Sequence, residues 1–455
     1  MTQELIIEGN KVDMPNDPIT LQFKSNLFGH LDTITSSNSL TIQLPKTPRN
    51  NFVFQFADVP QSSGFQRRWY DATFKRDGMP IISGRIALLS TTSEHYEVCL
   101  VWGLIQWLED ALTNETTLRD LPIGYQAVLR KYDINVFTTV SDINYGYLYY
   151  NNGGAEYAFP VVNVGWIFSL IINLIFSNNI DTTSVDLTKL RKYYFTITED
   201  IVGDLVTPAN LEPSFLLRDF LPDIKVIDFF KAVCHIMGWY IELSPTGTVR
   251  IESINTIGNT ANAVDWSDKL ASDIPDSVSF DFNSMAQRNW FRYEKDENVT
   301  VNADYYFEVN DTTLKREATT FELPFAPTDD ANLIIQYETV LDNNGDSETK
   351  FVKTTTRILK VLDNGPLNSN GDPIPYLSFE QELYFRVIIA NKYNAYTNIM
   401  REPKVVTVQL RLADYDLINL DYTIPVYISR YGSYFAIIEL QAQGEYTTAK
   451  LLKIG

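Results

Sequence analysis

The stretch from Pro222 to Ile254 constrains this chain most, because its hydrophobic period changes partway along. Val226, Phe229, Phe230, Val233 and Met237 recur at helical spacing and predict one apolar stripe. Asp228, Lys231 and His235 fall on the opposite, polar side. Asp223, after Pro222, is the predicted N-cap, and Gly238 the residue that ends the helix in a left-handed conformation. The period then becomes two. Trp239, Ile241 and Leu243 alternate with Tyr240 and Glu242, and Val249 and Ile251 with Arg250 and Glu252, across a Ser244–Pro245–Thr246–Gly247 turn. Glu242 and Arg250 are expected to pair across the hairpin, for a few tenths to about 1 kcal/mol.

Short alternating runs dominate both ends of the chain. TLQFKSNLF, SLTIQLPKT and NFVFQF are followed by two successive hairpins between Asp71 and Gly103. Asp77-Gly78 predicts a tight turn, Gly84 a bulge or kink, and Ser93-Glu94 the next reversal. The abundance of Tyr (26) and Phe (26) favours strands over helices throughout. From Asn114 to Val162 the chain is rich in Tyr, Asn and Gly, which suits either an adaptable contact surface or a variable loop. LIQWLEDALT before it reads as a short amphipathic helix. Val164 to Phe176 is apolar but only 13 residues long, whereas a bilayer span takes about 20. A core helix is expected there. Further on, YYFEVND, FVKTTTRILKVLD, KVVTVQLRL, IPVYIS and YFAIIELQAQ read as strands. One long helix is expected from Ser378, with Ser378 and Gln381 forming a capping box.

At 455 residues the chain has room for about three domains with real cores. Its composition divides it at 1–112 (β-barrel), 113–215 (mixed α/β insertion), 216–292 (helix plus hairpin) and 293–455 (β-rich, barrel-like, with the long helix). The expected class is α+β, predominantly β and multidomain, with two antiparallel β-barrel-like domains bracketing mixed α/β domains. Acidic residues outnumber basic ones 57 to 37, for a net charge of −20, which argues against a phosphate-binding surface. General solubility explains the same acidity. Two cysteines, Cys99 and Cys234, exclude a disulfide framework and read as buried thiols. The first 18 residues lack a basic region and a long apolar core, so no signal peptide is expected.

Three phrases carry a resemblance. DFFKAVCHIMGWYIELSPTGTVRI, with the acidic phrase around Asp265, Trp266, Ser267 and Asp268 after it, resembles the helix-plus-hairpin unit of phage baseplate-hub (tail-associated) proteins. The spike proteins of type VI secretion use a similar phrase. Asp77, Gly78, Gly84, Ile86, Leu88, then Val98, Leu100 and Gly103 resemble the first barrel of tail hub and distal-tail proteins. DLINLDYTIPVYIS, SYFAII and TAKLLKI resemble the terminal barrel of tail hubs. The resemblance implies a structural, non-enzymatic virion protein at the tail tip, assembled in the bacterial cytoplasm. It implies a homotrimer forming a pseudo-sixfold ring, with a tail-tube or distal-tail protein on one side and a spike, fibre or lysin subunit on the other. DNA would pass an acidic bore without specific binding. A contractile injection device is a variant of this reading. A carbohydrate- or cell-surface-binding β-protein, using Tyr147, Tyr149, Tyr150 or Trp166 as stacking platforms, is the alternative. A tail-associated cell-wall lysin is a third.

No phosphate-binding glycine loop, zinc-protease motif, nucleophile elbow or paired-cysteine motif occurs. No catalytic, cofactor-binding or metal-ligating residue is therefore assigned, and no cofactor is expected. His30, His95 and His235 lie in separate regions and read as surface or satisfied residues. Asp342 to Asp346 looks briefly like a calcium loop, but Gly345 stands fourth rather than sixth and Lys353 occupies the twelfth place. The acidic clusters are Asp265/Asp268, Glu380/Glu382 and Asp414/Asp416/Asp421. Glycoside hydrolysis needs two carboxyls facing one cleft ~5–9.5 Å apart. Glu380 and Glu382 sit two apart on a predicted helix and point away from each other, while Asp414 and Asp416 fall in a predicted turn.

Overall fold

In the computed structural model, the described chain excludes residues 1, 28–30, 32–36, 62–67, 105–115, 124–125, 128–137, 140–144, 153–154, 177–179, 197–214, 217, 219–220, 244–247, 272–275, 281–284, 298, 329–335, 342–346, 353–354, 364–370 and 372–375. For the strand segments 126–127, 138–139, 145–152, 155–160, 215–216, 336–341 and 347–352 it describes the backbone alone. The expected helix LIQWLEDALT, the Asp342–Asp346 loop, His30 and the Ser244–Gly247 turn fall essentially outside the described residues, as do the side chains of Tyr147, Tyr149 and Tyr150.

The apolar stripe at Val226 forms the predicted helix, Val226–Met237. Its start differs from the expectation. Asp223 does not cap it: Lys225 stands at the N-cap and makes no side-chain cap bond. The segment before the helix instead pairs with the chain at Thr117, and the Val226 N–H donates to the Thr116 carbonyl at 3.0 Å. A distant backbone carbonyl has taken the role a local carboxylate was expected to play. The end is as read. Gly238 (φ 66°) donates to the carbonyls of Cys234 and His235, and a Cβ there would lie 2.6 Å from that of Lys392. Left-handed backbone and close approach both require glycine.

Phe230 stacks on Phe168 of the core helix Val164–Phe176, and Phe229 meets Phe195 and Phe325 edge-on. The face expected to be polar is largely covered too. A three-stranded sheet, Tyr305–Glu308, Arg288–Tyr293 and Glu317–Leu323, packs there. His235 is consequently buried, its ring stacked on Phe321 at 3.9 Å and 6°. Only Asp228 and Lys231 of the helix escape burial.

The long helix predicted from Ser378 is broken. Ser378 ends the strand Tyr376–Ser378, Gln381–Leu383 is a 3-10 turn, and two short helices follow, Phe385–Lys392 and Asn394–Met400. The break at Tyr393 (φ −120°, ψ 10°) lets two neighbouring side chains reach the end of helix Val226–Met237. The Tyr393 hydroxyl donates to the His235 carbonyl and the Lys392 ammonium to that of Ile236, each at 2.8 Å. Satisfying those carbonyls in a buried place outweighs helical continuity.

The strands of the two chain ends join one antiparallel-dominated sheet of 14 strands. From one edge it runs Asn10–Val12, Gln3–Ile7, Tyr70–Arg76, Met79–Thr91, His95–Trp102, Ser37–Ser39 and Leu21–Lys24. It continues through Ser433–Gln443, Tyr446–Lys453 and Val405–Leu410 to Ser277–Ser279; off this path Ile42–Pro45 pairs with His95–Trp102, and Val426–Ile428 joins Ser433–Gln443 to Val264–Asp265. The crossing from first to last residues is the pairing of Leu21–Lys24 with Ser433–Gln443, Phe23 opposite Leu440. The Asp77-Gly78 turn forms as predicted, both residues at positive φ. Gly84 stays in register with Ala72; the bulges fall at Phe74/Lys75 and Leu88/Ser90 instead. The protein is predominantly β with several sheets, and among the described residues the strands trace an open path, not a closed barrel.

Among the described residues two hydrophobic cores result. One surrounds the helices and the hairpin, and the other lines the large sheet.

Candidate functional site

Most of the acidic residues singled out in the sequence are held in structural contacts. Asp265 accepts from the backbone and hydroxyl of Ser267, which hold its carboxyl below the usual range, and Asp268 lies within the turn Ser267–Lys269. Glu382 takes the Lys360 ammonium at 2.7 Å and the Tyr193 hydroxyl. Glu380 is the N-cap residue of the 3-10 turn Gln381–Leu383 and Glu382 lies within it, so neither residue sits on an α-helix. Asp414 and Asp416 begin a short helix, Asp414–Ile418, where a turn was expected. This acidic segment clasps three cations from distant parts of the chain. Asp414 meets Arg76 at 3.1 Å, Asp416 meets Lys269, and Asp421 meets Arg250 at 2.7 Å.

The Arg76 side chain is only 3% exposed, and among the described residues its Nε and Nη2 have no hydrogen-bond partner. Asp414 is thus its sole described counter-charge contact. Burial pushes the Asp421 carboxyl up, but Arg250 and Thr423 more than offset this and keep it below the usual range. Sequence reasoning gave no sign of these pairings, since the Arg76 and Asp414 partners are 338 residues apart. Nor did it reveal the fully buried Arg357, whose guanidinium meets Asp296.

The expected Glu242–Arg250 pair is not made, although the two are in register. Arg250 turns to Asp421, and Glu242 is buried against Ser25 and Asn26. Segments from elsewhere in the chain supply better partners for both. Cys99 is half-buried rather than buried and Cys234 is buried; both are free thiols. His95 opens a strand of the large sheet while His235 lies in the helical core, so these two are not brought together. No metal-binding group of His, Cys, Asp and Glu occurs among the described residues.

One cleft gathers titratable groups. Asp228, Lys231, Ala232, His235, Glu294 and Glu322 line a space of about 410 Å³ where the central helix meets the three-stranded sheet. The Glu294 backbone donates to the carbonyls of Leu323 and Phe325, fixing it at the rim. Burial, and the nearby Glu322 and Asp296, push the Glu294 carboxyl up. Burial, with Lys231 beside it, lowers His235 to about 3, so its imidazole is neutral at physiological pH. Lys231 pairs with Asp228 at 3.1 Å.

Apolar side chains are exposed elsewhere. Phe52 (72% exposed), Phe56 and Val59 project from the helix Pro48–Val53 and the turn after it, where Gln55 and Phe56 hold left-handed φ. Such backbone costs about 1 kcal/mol or more per residue. Val278 (54%) and Phe280 (59%) stand exposed at the Ser277–Ser279 edge. Trp166, named as a stacking platform, packs against the helical core instead.

No family model and no curated protein matches the chain. Among solved structures it is similar to the 43 kDa tail protein of prophage MuSo2 from Shewanella oneidensis, at 8% identity and TM-score 0.40, covering 99% of this chain and 97% of that one. It is also similar to a tail protein from Neisseria meningitidis MC58, at 10% identity and TM-score 0.40, covering 99% and 95%. Superpositions this loose carry neither a fold nor a function across.

Proposed function

We propose that the chain is a structural component of a phage tail, a hub segment at the tip of the tube that joins copies of itself into a ring. The supporting observation is the pairing of Leu21–Lys24 with Ser433–Gln443. Through it the two ends of the chain form one sheet side by side, the kind of junction a ring must repeat between chains. The main path of the sheet ends at Asn10–Val12 and Ser277–Ser279 among the described residues, and such edges template further strands. The hub-like phrases at 77–103, 228–268 and 416–454 agree with this reading. In it, residues 1–112 and 293–455 supply two barrel-like halves, with 113–215 and 216–292 between them. The ring is a homotrimer in the virion, contacting a tube or distal-tail protein and a spike, fibre or lysin subunit. Its bore is acidic, so DNA passes without adhering, and the chain performs no chemistry of its own. Sedimentation of the purified protein with its tail partners tests this. A trimer is expected, and a persistent monomer overturns the reading.

A second reading, a cell-wall lysin, is favoured by the cleft at Glu294, where a carboxyl with raised proton affinity has other carboxylates nearby. It requires wild-type protein to clear a cell-wall suspension and Glu294→Gln to lose that clearing. The structural reading expects no clearing from either.

A further inference from the structure

Glu242 is a buried acid that no proposed role uses. Its side chain sits where the helix-and-hairpin body meets the large sheet. It is carried by the strand Trp239–Leu243 and is 2% exposed. The Asn26 N–H donates to Oε2 at 3.0 Å and the Ser25 hydroxyl to the same oxygen at 3.3 Å. The Leu243 N–H donates to Oε1 at 3.1 Å. Ser25 is itself bonded through its N–H to the Ile438 carbonyl of the large sheet, while Leu27, two residues on, lies in the helical core. One carboxyl therefore holds the crossing between the two cores.

We propose that Glu242 is a proton-operated latch on this seam, closed while the carboxyl is protonated and loosened when it ionises.

Burial gives the reason. The charged and titratable groups nearby are Tyr240, Arg250 and Glu252 on the hairpin, Asp421 and Tyr422 in the loop before Val426–Ile428, and, in the sheet, Glu439 with Lys24 opposite it, whose ammonium donates to Asn38. Arg250 is engaged by Asp421 at 2.7 Å, and Glu439 by Lys450 at 2.8 Å. Ionised Glu242 thus places a negative charge with no ion-paired cation of its own among the described residues, in a place water does not reach. The three donors favour the carboxylate, but burial outweighs them and raises Glu242 to about 7. On protonation the Ser25 contact reverses, the carboxyl O–H donating to the serine oxygen. Opening the seam hydrates the carboxylate and returns it to ordinary acidity, so rising pH drives opening. This inference is independent of the proposed tail role.

Amide exchange of the full-length wild-type protein, corrected for intrinsic rates and followed from pH 5.5 to 8, provides the test. Peptides covering Ser25–Leu27 and Trp239–Leu243 are expected to lose protection on the order of tenfold. Those covering the helix Val164–Phe176 should change little. Glu242→Gln, an uncharged isostere of the protonated acid, should hold the seam protected across the range. Flat wild-type protection at the seam overturns the proposal without recourse to a variant. So does the same pH response in Glu242→Gln.

Discussion

The helical core buries a base, His235, stacked on Phe321, and the seam with the large sheet buries an acid, Glu242, held by Ser25 and Asn26. Burial disfavours the charged form of each, and so moves them in opposite directions. His235 takes up protons less readily folded than unfolded. Its contribution is complete above 6.5, its ordinary value, and is lost as pH falls toward about 3. Glu242 binds its proton more tightly folded than unfolded. Its contribution is complete below 4.5, its ordinary value, and is lost as pH rises through about 7. One desolvation rule therefore gives two regions of one chain opposite sensitivities to acid.

The regions also differ in what joins them. The helical core is assembled by aromatic rings, Phe168 on Phe230 and Phe291 against Phe321, Phe385 and Tyr393. The sheet region is clasped at its margin by the acidic segment from Asp414 to Asp421. Phe230→Ala attacks the first and should cost about 3–5 kcal/mol in urea unfolding. Asp414→Ala attacks the second and should cost about 3 kcal/mol by leaving the Arg76 guanidinium buried with its counter-charge removed. Replacing Arg76 by Met in that variant should recover most of the loss. If it does not, the clasp acts through packing and the contrast between the regions narrows.

Gly238→Ala comes next, at about 2 kcal/mol, since it strains a left-handed backbone and drives a methyl into Lys392. Acid should then separate the regions directly. Exchange protection over residues 229–237 is expected to fall on acidification from pH 6.5 to 4, and His235→Phe to remove that trend, while the Ser25–Leu27 segment stays protected. The smallest effect belongs to the exposed pair of Lys11 and Glu4, where Lys11→Ala should leave the urea midpoint within error.

Much of the architecture was legible because it rests on local pattern. The stripe from Val226 to Met237, the glycine after it, the hairpin register and the Asp77-Gly78 turn depend on residues within a few positions of one another. The misreadings share a cause. Asp223 lost its capping role to the Thr116 carbonyl, the helix after Ser378 broke so that Lys392 and Tyr393 could serve another helix, and Arg250 chose Asp421 over Glu242. In each, a partner far along the chain replaced a near one. The same holds for the clusters read as possible catalytic pairs, whose roles at Asp414, Asp416 and Asp421 depend on cations brought in from elsewhere.

By itself the sequence determined the alternation of strands and helices, the helix-to-hairpin switch and the acidity of the surface, since periodicity, glycine conformation and charge count are local or additive. Tertiary structure alone decided that the two chain ends share a sheet, that His235 and Glu242 are buried, and which carboxylate meets which cation. Burial and pairing depend on what packs opposite a residue, and in this chain the opposing surface comes repeatedly from one to three hundred residues away.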